Sequence, residues 1–403
     1  MSTYLLEWLS LLGRWVHLIT GIAWIGSSFY FVWLDNHLQK PKDDALRQKG
    51  VGGELWAVHG GGFYNAQKYQ LAPAALPETL HWFYWEAYST LLSGLFLLGL
   101  LYFVQAEVYL IDPAVAGLSK SAAIGIAIAF LAGGWLVYDT LCRTRLALRG
   151  LWLAGLVSVL LSAAAYALCH LFSGRGAFIV FGAMLGTIMV ANVFFVIIPG
   201  QREMVRAKQQ GREPDPQSGQ RGKLRSVHNT YFTLPVLFTM LSNHYALTFG
   251  ARWNWLVLIA MCAAGALIRA WFVARHRAPE RGGRTPAWPL AVGLSILAAV
   301  IVALAPAAQT GVSTAEPAAQ QFEHVRNIIE TRCTACHAER PTQPGFALAP
   351  KGVMLDTPQR ILALVPLMQQ QLATRAMPVG NLTGMTDDER SAVLRWIRDG
   401  ARH

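Results

Sequence analysis

Eight apolar stretches, near residues 8–34, 82–104, 121–138, 151–171, 177–198, 229–249, 253–274 and 287–306, constrain this 403-residue chain more than any other feature. Each is close to the roughly 20 residues a helix needs to cross a bilayer. The expectation is an all-α, polytopic membrane helix bundle of eight transmembrane helices over residues 1–306. Composition points the same way, with 54% of residues hydrophobic and 14% charged, against about 25% charged in a soluble domain. The first stretch lacks the basic leader and small-residue cleavage site of a signal peptide, so it is expected to remain as a spanning helix. Five cysteines are too few for a disulfide scaffold.

The net charge of +11 has a topological explanation. Loops 35–80, 139–150, 199–227 and 275–286 together hold nineteen Lys and Arg, while the opposite set of connections holds only Lys120, Arg175 and Arg252. Basic loops stay in the cytoplasm. The N-terminus and everything after residue 306 are then expected on the outer side of a bacterial inner membrane, in the periplasm. Because the basic residues serve as orientation signals, no nucleic-acid partner is expected, and the other surroundings are membrane lipid.

After residue 306 the composition changes. Residues 307–319, rich in Ala, Thr, Pro and Gln, suit a linker, and residues 320–403 suit a small periplasmic domain of the class I cytochrome c type. Its main signal is Cys333-Thr-Ala-Cys336-His337. Two thiols on one helical turn can bond the vinyl groups of a haem while the adjacent imidazole ligates the iron. A redox dithiol would leave His337 without a role, and zinc would need further ligands that a domain with no other Cys does not offer. One covalent haem c is therefore expected, with iron held by His337 and, on the far face, by Met377 in the loop Arg375-Ala-Met-Pro-Val-Gly-Asn381. Met385 and Met354 are the other candidates, whereas Met368 suits the core. Residues Asp387 to Ile397 are expected to close the domain as a helix with Thr386 as its N-cap. Cys142, Cys169 and Cys262 are isolated and are expected to act as small buried hydrophobes.

Three further segments carry a resemblance. They are Arg14-Trp-Val-His17-Leu-Ile-Thr-Gly21-Ile-Ala-Trp24, the stretch Gly53-Glu-Leu-Trp56-Ala-Val-His59-Gly-Gly-Gly-Phe-Tyr64, and Ser226-Val-His228-Asn-Thr-Tyr-Phe-Thr-Leu-Pro235 through Ser242-Asn-His244-Tyr245. In combination they resemble the membrane-bound urate hydroxylase (urate oxidase) family, whose eight-helix membrane domain precedes a cytochrome c domain. The resemblance implies oxidation of urate to 5-hydroxyisourate in purine catabolism. It also implies that electrons leave through the cytochrome to a respiratory-chain acceptor, such as a terminal oxidase or a soluble cytochrome c, and do not pass directly to oxygen.

Ionisable residues within a membrane domain usually mark function, and the histidines divide into two levels. His17 and His244 belong to the outer level and offer a bis-histidine site for a haem b, the alternative being two hydrogen-bonded structural residues. His228 lies 16 residues before His244, about 24 Å along a helix and about 160° around it, so those two cannot share a metal. The inner level suits a flat, anionic purine, which wants an aromatic face, amide or guanidinium donors and a base. His59, Glu86 and His228 are the catalytic candidates, with Trp56, Asn65, His81, Trp85, Arg202 and Asn229 as substrate-binding candidates. His81 and Trp85 are expected one helical turn apart, and loop 54–65 is expected to approach substrate through its glycines. Trp82 equally suits the interfacial aromatic belt. The rival class is a quinol-oxidising or electron-transfer membrane cytochrome without a purine site, which the same bundle and haem would support.

Overall fold

The structure is a computed structural model that describes residues 3–277, 285–305, 318–344, 346 and 348–402. Most of the linker expected at 307–319 lies outside the described residues. The chain begins with a long helix α1 (Thr3–His37), a short α2 (Asp44–Gln48) and a two-stranded hairpin of β1 (Val51–His59) and β2 (Gly62–Tyr69). Helix α3 (Trp85–Leu97) runs into a π-helical turn, and α4 (Ala106–Tyr109), α5 (Lys120–Arg143) and α6 (Gly150–Cys169) follow. Helix α7 (Gly174–Asn192) passes through a second π-helical turn into α8 (Ile198–Gln209). The N-terminal unit finishes with α9 (Pro216–Ser242), α10 (Ala246–Phe249), α11 (Asn254–Arg277) and α12 (Trp288–Ala303).

Six of these helical stretches are long and apolar enough to cross a membrane: 4–37, 85–103, 120–143, 150–169, 174–209 and 254–275. The two other expected spans also form helices, with different character. Helix α9 is 27 residues long, but its first half carries Arg221, Lys223, Arg225 and His228. Helix α12 is apolar but has 16 residues, reaching about 24 Å at 1.5 Å per residue, short of a roughly 30 Å hydrocarbon core.

The bundle packs around α7, the most buried helix. Small residues set its distances. At Gly134 of α5 an added Cβ would lie 2.6 Å from Met184 Cγ of α7, and at Gly182 of α7 it would meet the Thr239 side chain of α9. Gly265 of α11 likewise faces Leu234 and Pro235 of α9. These close approaches bring α5, α7, α9 and α11 together.

The all-α expectation needs one correction. Residues 54–65 form a hairpin in which Trp56 pairs Asn65 and His59 pairs Gly62. Its two-residue turn is Gly60-Gly61, both with positive φ, which glycine adopts without steric cost and which matches the twist of a hairpin. Gly60 and Gly61 serve the turn.

The C-terminal unit is helical: α13 (Ala318–Arg332), α14 (Pro358–Ala363), α15 (Val365–Ala373) and α16 (Asp387–Arg398). Its first and last helices meet at Phe322 and Trp396, whose rings are 5.6 Å apart, over a core of Val325, Ile329, Ile361, Met368 and Leu372. Thr386 caps α16 in a full capping box with Glu389, satisfying two backbone donors that would otherwise lack partners. This unit rests on the bundle end that carries residues 104–119 and 243–254. Gly380, at φ 55°, leaves only 2.7 Å between an ideal Cβ and Val108 O, and Gly250 lies against Thr374 O.

Candidate functional site

A continuous polar chain crosses the bundle where α5, α7 and α9 meet, toward the end bearing the basic loops. Arg225 of α9 is 3% exposed and donates from Nη2 to Asp139 Oδ1 of α5 at 2.7 Å and from Nη1 to Asn192 Oδ1 of α7 at 3.3 Å. Its guanidinium also lies over the Tyr138 and Trp135 rings, at 5.0 and 5.9 Å. Asn192, fully buried, passes its amide protons to Asn229 Oδ1 at 2.9 Å and the Tyr138 hydroxyl at 3.3 Å. Asn229 is held in turn by Met189 O at 2.9 Å. The chain ends where Tyr138 meets His228 Nδ1 at 2.7 Å, with Cys142 Sγ 4.0 Å from the same nitrogen.

Helical spacing builds this site. Arg225, His228 and Asn229 stand at i, i+3 and i+4 on α9, hence on one face. Tyr138, Asp139 and Cys142 share a face of α5 for the same reason. A buried charge needs pairing and hydrogen bonds to persist in an apolar surround, and each polar group named here has both or the neutral equivalent.

Of the expected inner-level residues, the structure brings His228 and Asn229 into this chain. The others stand elsewhere. Trp56 and His59 are exposed on the hairpin, and Asn65 donates to Glu54 Oε2 at 3.2 Å. His81 is exposed and precedes the first turn of α3, which starts at Trp85. The two are therefore not one helical turn apart. Trp85 is 61% exposed, Arg202 is exposed beside Tyr88, and Glu86 is half-buried with Oε2 lacking a partner. Sequence reasoning missed Tyr138, Asp139, Asn192 and Arg225. The available signal was a polar residue inside an apolar run, which applied to Asn192 and to the Tyr138-Asp139 pair.

At the opposite level, His17 shares a 3.0 Å hydrogen bond through Nδ1 with Ser93 Oγ, and its ring packs against Gly94 of α3. His244 is exposed in the turn after α9. Among the described residues no hydrogen bond or ring contact joins the two histidines.

In the C-terminal unit, α13 delivers Cys333 and Cys336 as free thiols on one turn. His337 donates from Nδ1 to Val353 O at 2.9 Å, which orients the ring and leaves Nε2 free for a metal. Arg332, next to Cys333, donates to both Glu389 carboxylate oxygens at 3.0–3.1 Å and to Thr383 O at 2.5 Å. It thereby ties the thiol helix to α16 and to the loop that carries Met377 and Met385. The same loop is fixed by Arg390, whose Nη1 donates to Met377 O at 2.6 Å. Met377 is half-buried, Met385 buried and Met368 part of the core. Burial pushes the Cys333 thiol up to about 12. Two thiols, an oriented imidazole and a buried Arg390 Nε without a partner form a donor set that fits a covalently attached haem.

Between the two units lies a cleft of about 1380 Å³. Arg175, Arg252, Trp253 and His170 line it from the bundle, Pro378 and Asn381 from the Met377 loop, and Arg390 from α16.

The fold and site define a helical protein with membrane-length apolar helices, a buried ionic network, and a small helical domain bearing a Cys-x-x-Cys-His turn. The chain belongs to the family described as Urate oxidase N-terminal, whose family model matches residues 3–305. That range takes in helices α1 to α12 and stops before the C-terminal unit. Neither a curated protein nor a solved structure matches the chain.

Proposed function

We propose that the protein oxidises urate to 5-hydroxyisourate and passes the electrons to a respiratory-chain acceptor through a haem c on its C-terminal domain. Family membership over residues 3–305 supports a urate-related oxidoreductase. The observation that carries the site is the buried chain from Asp139 and Arg225 through Asn192 to Tyr138 and His228. The reaction joins urate and water to give 5-hydroxyisourate, two electrons and two protons. When bound, the haem supplies a one-electron carrier, so two transfers to the acceptor complete each turnover.

The chain's own residues supply the proton chemistry. With Nδ1–H of His228 donating to the Tyr138 oxygen, Nε2 keeps a lone pair and can take a proton as electrons leave the purine. Asn192 and Arg225 hold Tyr138 and Asn229 in place, fixing the imidazole without adding a mobile charge. Asn229 lies one residue from the base. In the C-terminal domain, Cys333 and Cys336 would hold the haem covalently, His337 and Met377 would ligate its iron, and the ties from Arg332 and Arg390 would keep the ligand loop closed.

The test is reduction of the haem absorption band in the purified full chain without oxygen. Urate reduces it and ubiquinol does not, if this reading holds. Reduction by ubiquinol alone would make the protein a quinol-oxidising cytochrome.

A further inference from the structure

Among the described residues two guanidiniums are buried in the bundle, and they differ in one respect. Arg225 is paired with a carboxylate and an amide. Arg269 of α11 is 9% exposed, yet its Nε and Nη2 have no hydrogen-bond partner. Among the described residues no carboxylate pairs with it. Its guanidinium carbon stands 3.8 Å from the centroid of the Phe29 ring of α1, and the phenol of Tyr231 on α9 is the titratable group close enough to act on it.

The position follows from helix packing. Helices α9 and α11 run antiparallel, and Gly265 touches Leu234 and Pro235. One turn further along α11, Arg269 comes level with Tyr231. His228 is three residues before Tyr231, on the adjoining side of α9. Arg269 is also six residues from Arg275, about 9 Å along the helix, and so lies in the half of the bundle that faces the basic loops.

A cation desolvated this far is costly unless an anion meets it. An aromatic ring beneath the guanidinium offsets part of that cost but leaves the in-plane donors unused. Those donors form a planar fork suited to an anion with delocalised charge. We infer that Arg269, seated on Phe29, is the anchor for the charge of the substrate, a planar purine anion held within a turn of His228. This inference rests on the urate reading above. The shared chemistry is a delocalised anion reaching the basic half of the bundle, and the phosphate of an anionic lipid is the competing source.

The test uses the full chain in nanodiscs of phosphatidylcholine with and without phosphatidylglycerol. Equilibrium binding is measured for urate and for hypoxanthine, a purine uncharged at neutral pH, along with the melting temperature. Arg269→Gln is expected to weaken urate binding by about tenfold or more, the worth of a charge-assisted hydrogen bond. Hypoxanthine binding should change less than about twofold, and Arg269→Lys should fall between wild type and Arg269→Gln. Unchanged urate binding in Arg269→Gln would overturn the inference, and a loss confined to the phosphatidylglycerol-dependent melting shift would assign the site to lipid. Wild-type protein that binds no urate would sink the underlying reading as well. If Arg269→Gln fails to fold, Phe29→Leu keeps the cation and removes its ring. A severalfold loss for urate alone in that variant supports the inference, and equal loss for both purines contradicts it.

Discussion

Arg225 and Asp139, 86 residues apart in sequence, form a 2.7 Å ion pair between α9 and α5, and both side chains are largely removed from solvent. Arg143 reaches the same carboxylate at 2.6 Å, so Asp139 is shared between a buried and an exposed guanidinium.

Removing one partner of such a pair leaves an uncompensated charge in an apolar bundle, at a cost of about 3–5 kcal/mol. Arg225→Ala and Asp139→Ala should each lower the detergent-solubilised melting temperature by several degrees. The double variant should be less destabilised than the sum of the two, and strict additivity would show that the pair contributes nothing.

His228→Gln keeps a polar side chain opposite Tyr138 but removes the basic nitrogen. Turnover with urate should drop by about 10²- to 10⁴-fold, the usual contribution of a general base. The covalent haem and the melting temperature should stay near wild type. A loss of haem or of fold in this variant would make His228 a structural residue.

Cys333→Ala combined with Cys336→Ala should abolish the haem that survives a denaturing gel. Replacement of Met377 should leave that haem attached and lower its reduction potential, since thioether ligation raises it. An unchanged potential would move the distal ligand to Met385 or Met354.

The C-terminal unit should also respond to acid. The Arg332 guanidinium beside Glu389 holds its carboxyl below the usual 4.5, and Arg375 does the same for Asp387 below 3.8. Because these folded-state values are depressed, the stabilisation is present in full above about pH 4.5 and is lost as pH falls through the folded values. Glu389→Gln should flatten that acid limb in a melting-temperature profile while lowering stability at neutral pH. An unaltered profile would show that the Arg332 tie is inert.

What the sequence disclosed follows the range of the interactions involved. The Cys333 to His337 turn and the Thr386 cap depend on neighbours within four residues and appear in the structure where the pattern puts them. The apolar stretches likewise emerge as helices. The run Gly60-Gly61-Gly62 suits both a close approach to substrate and a hairpin turn, and Gly-Gly between alternating residues is itself a turn signal. The pairing of Arg225 with Asp139 could not be read along the chain. Arg225 falls in the basic stretch 199–227 that serves orientation, and its burial depends on where α5 and α7 pack. His81 lies in the coil before α3, and Trp85 and Glu86 lie in its first turn, so nearness in sequence does not put the three on one helical face.

The central claim is that water supplies the new oxygen and the cytochrome domain takes the electrons. The most direct measurement is anaerobic turnover of urate in ¹⁸O-labelled water with an artificial acceptor that oxidises the haem. The account predicts one labelled oxygen in each 5-hydroxyisourate and two electrons delivered per urate. Product that forms only when oxygen gas is admitted, and carries label from that gas, would contradict it.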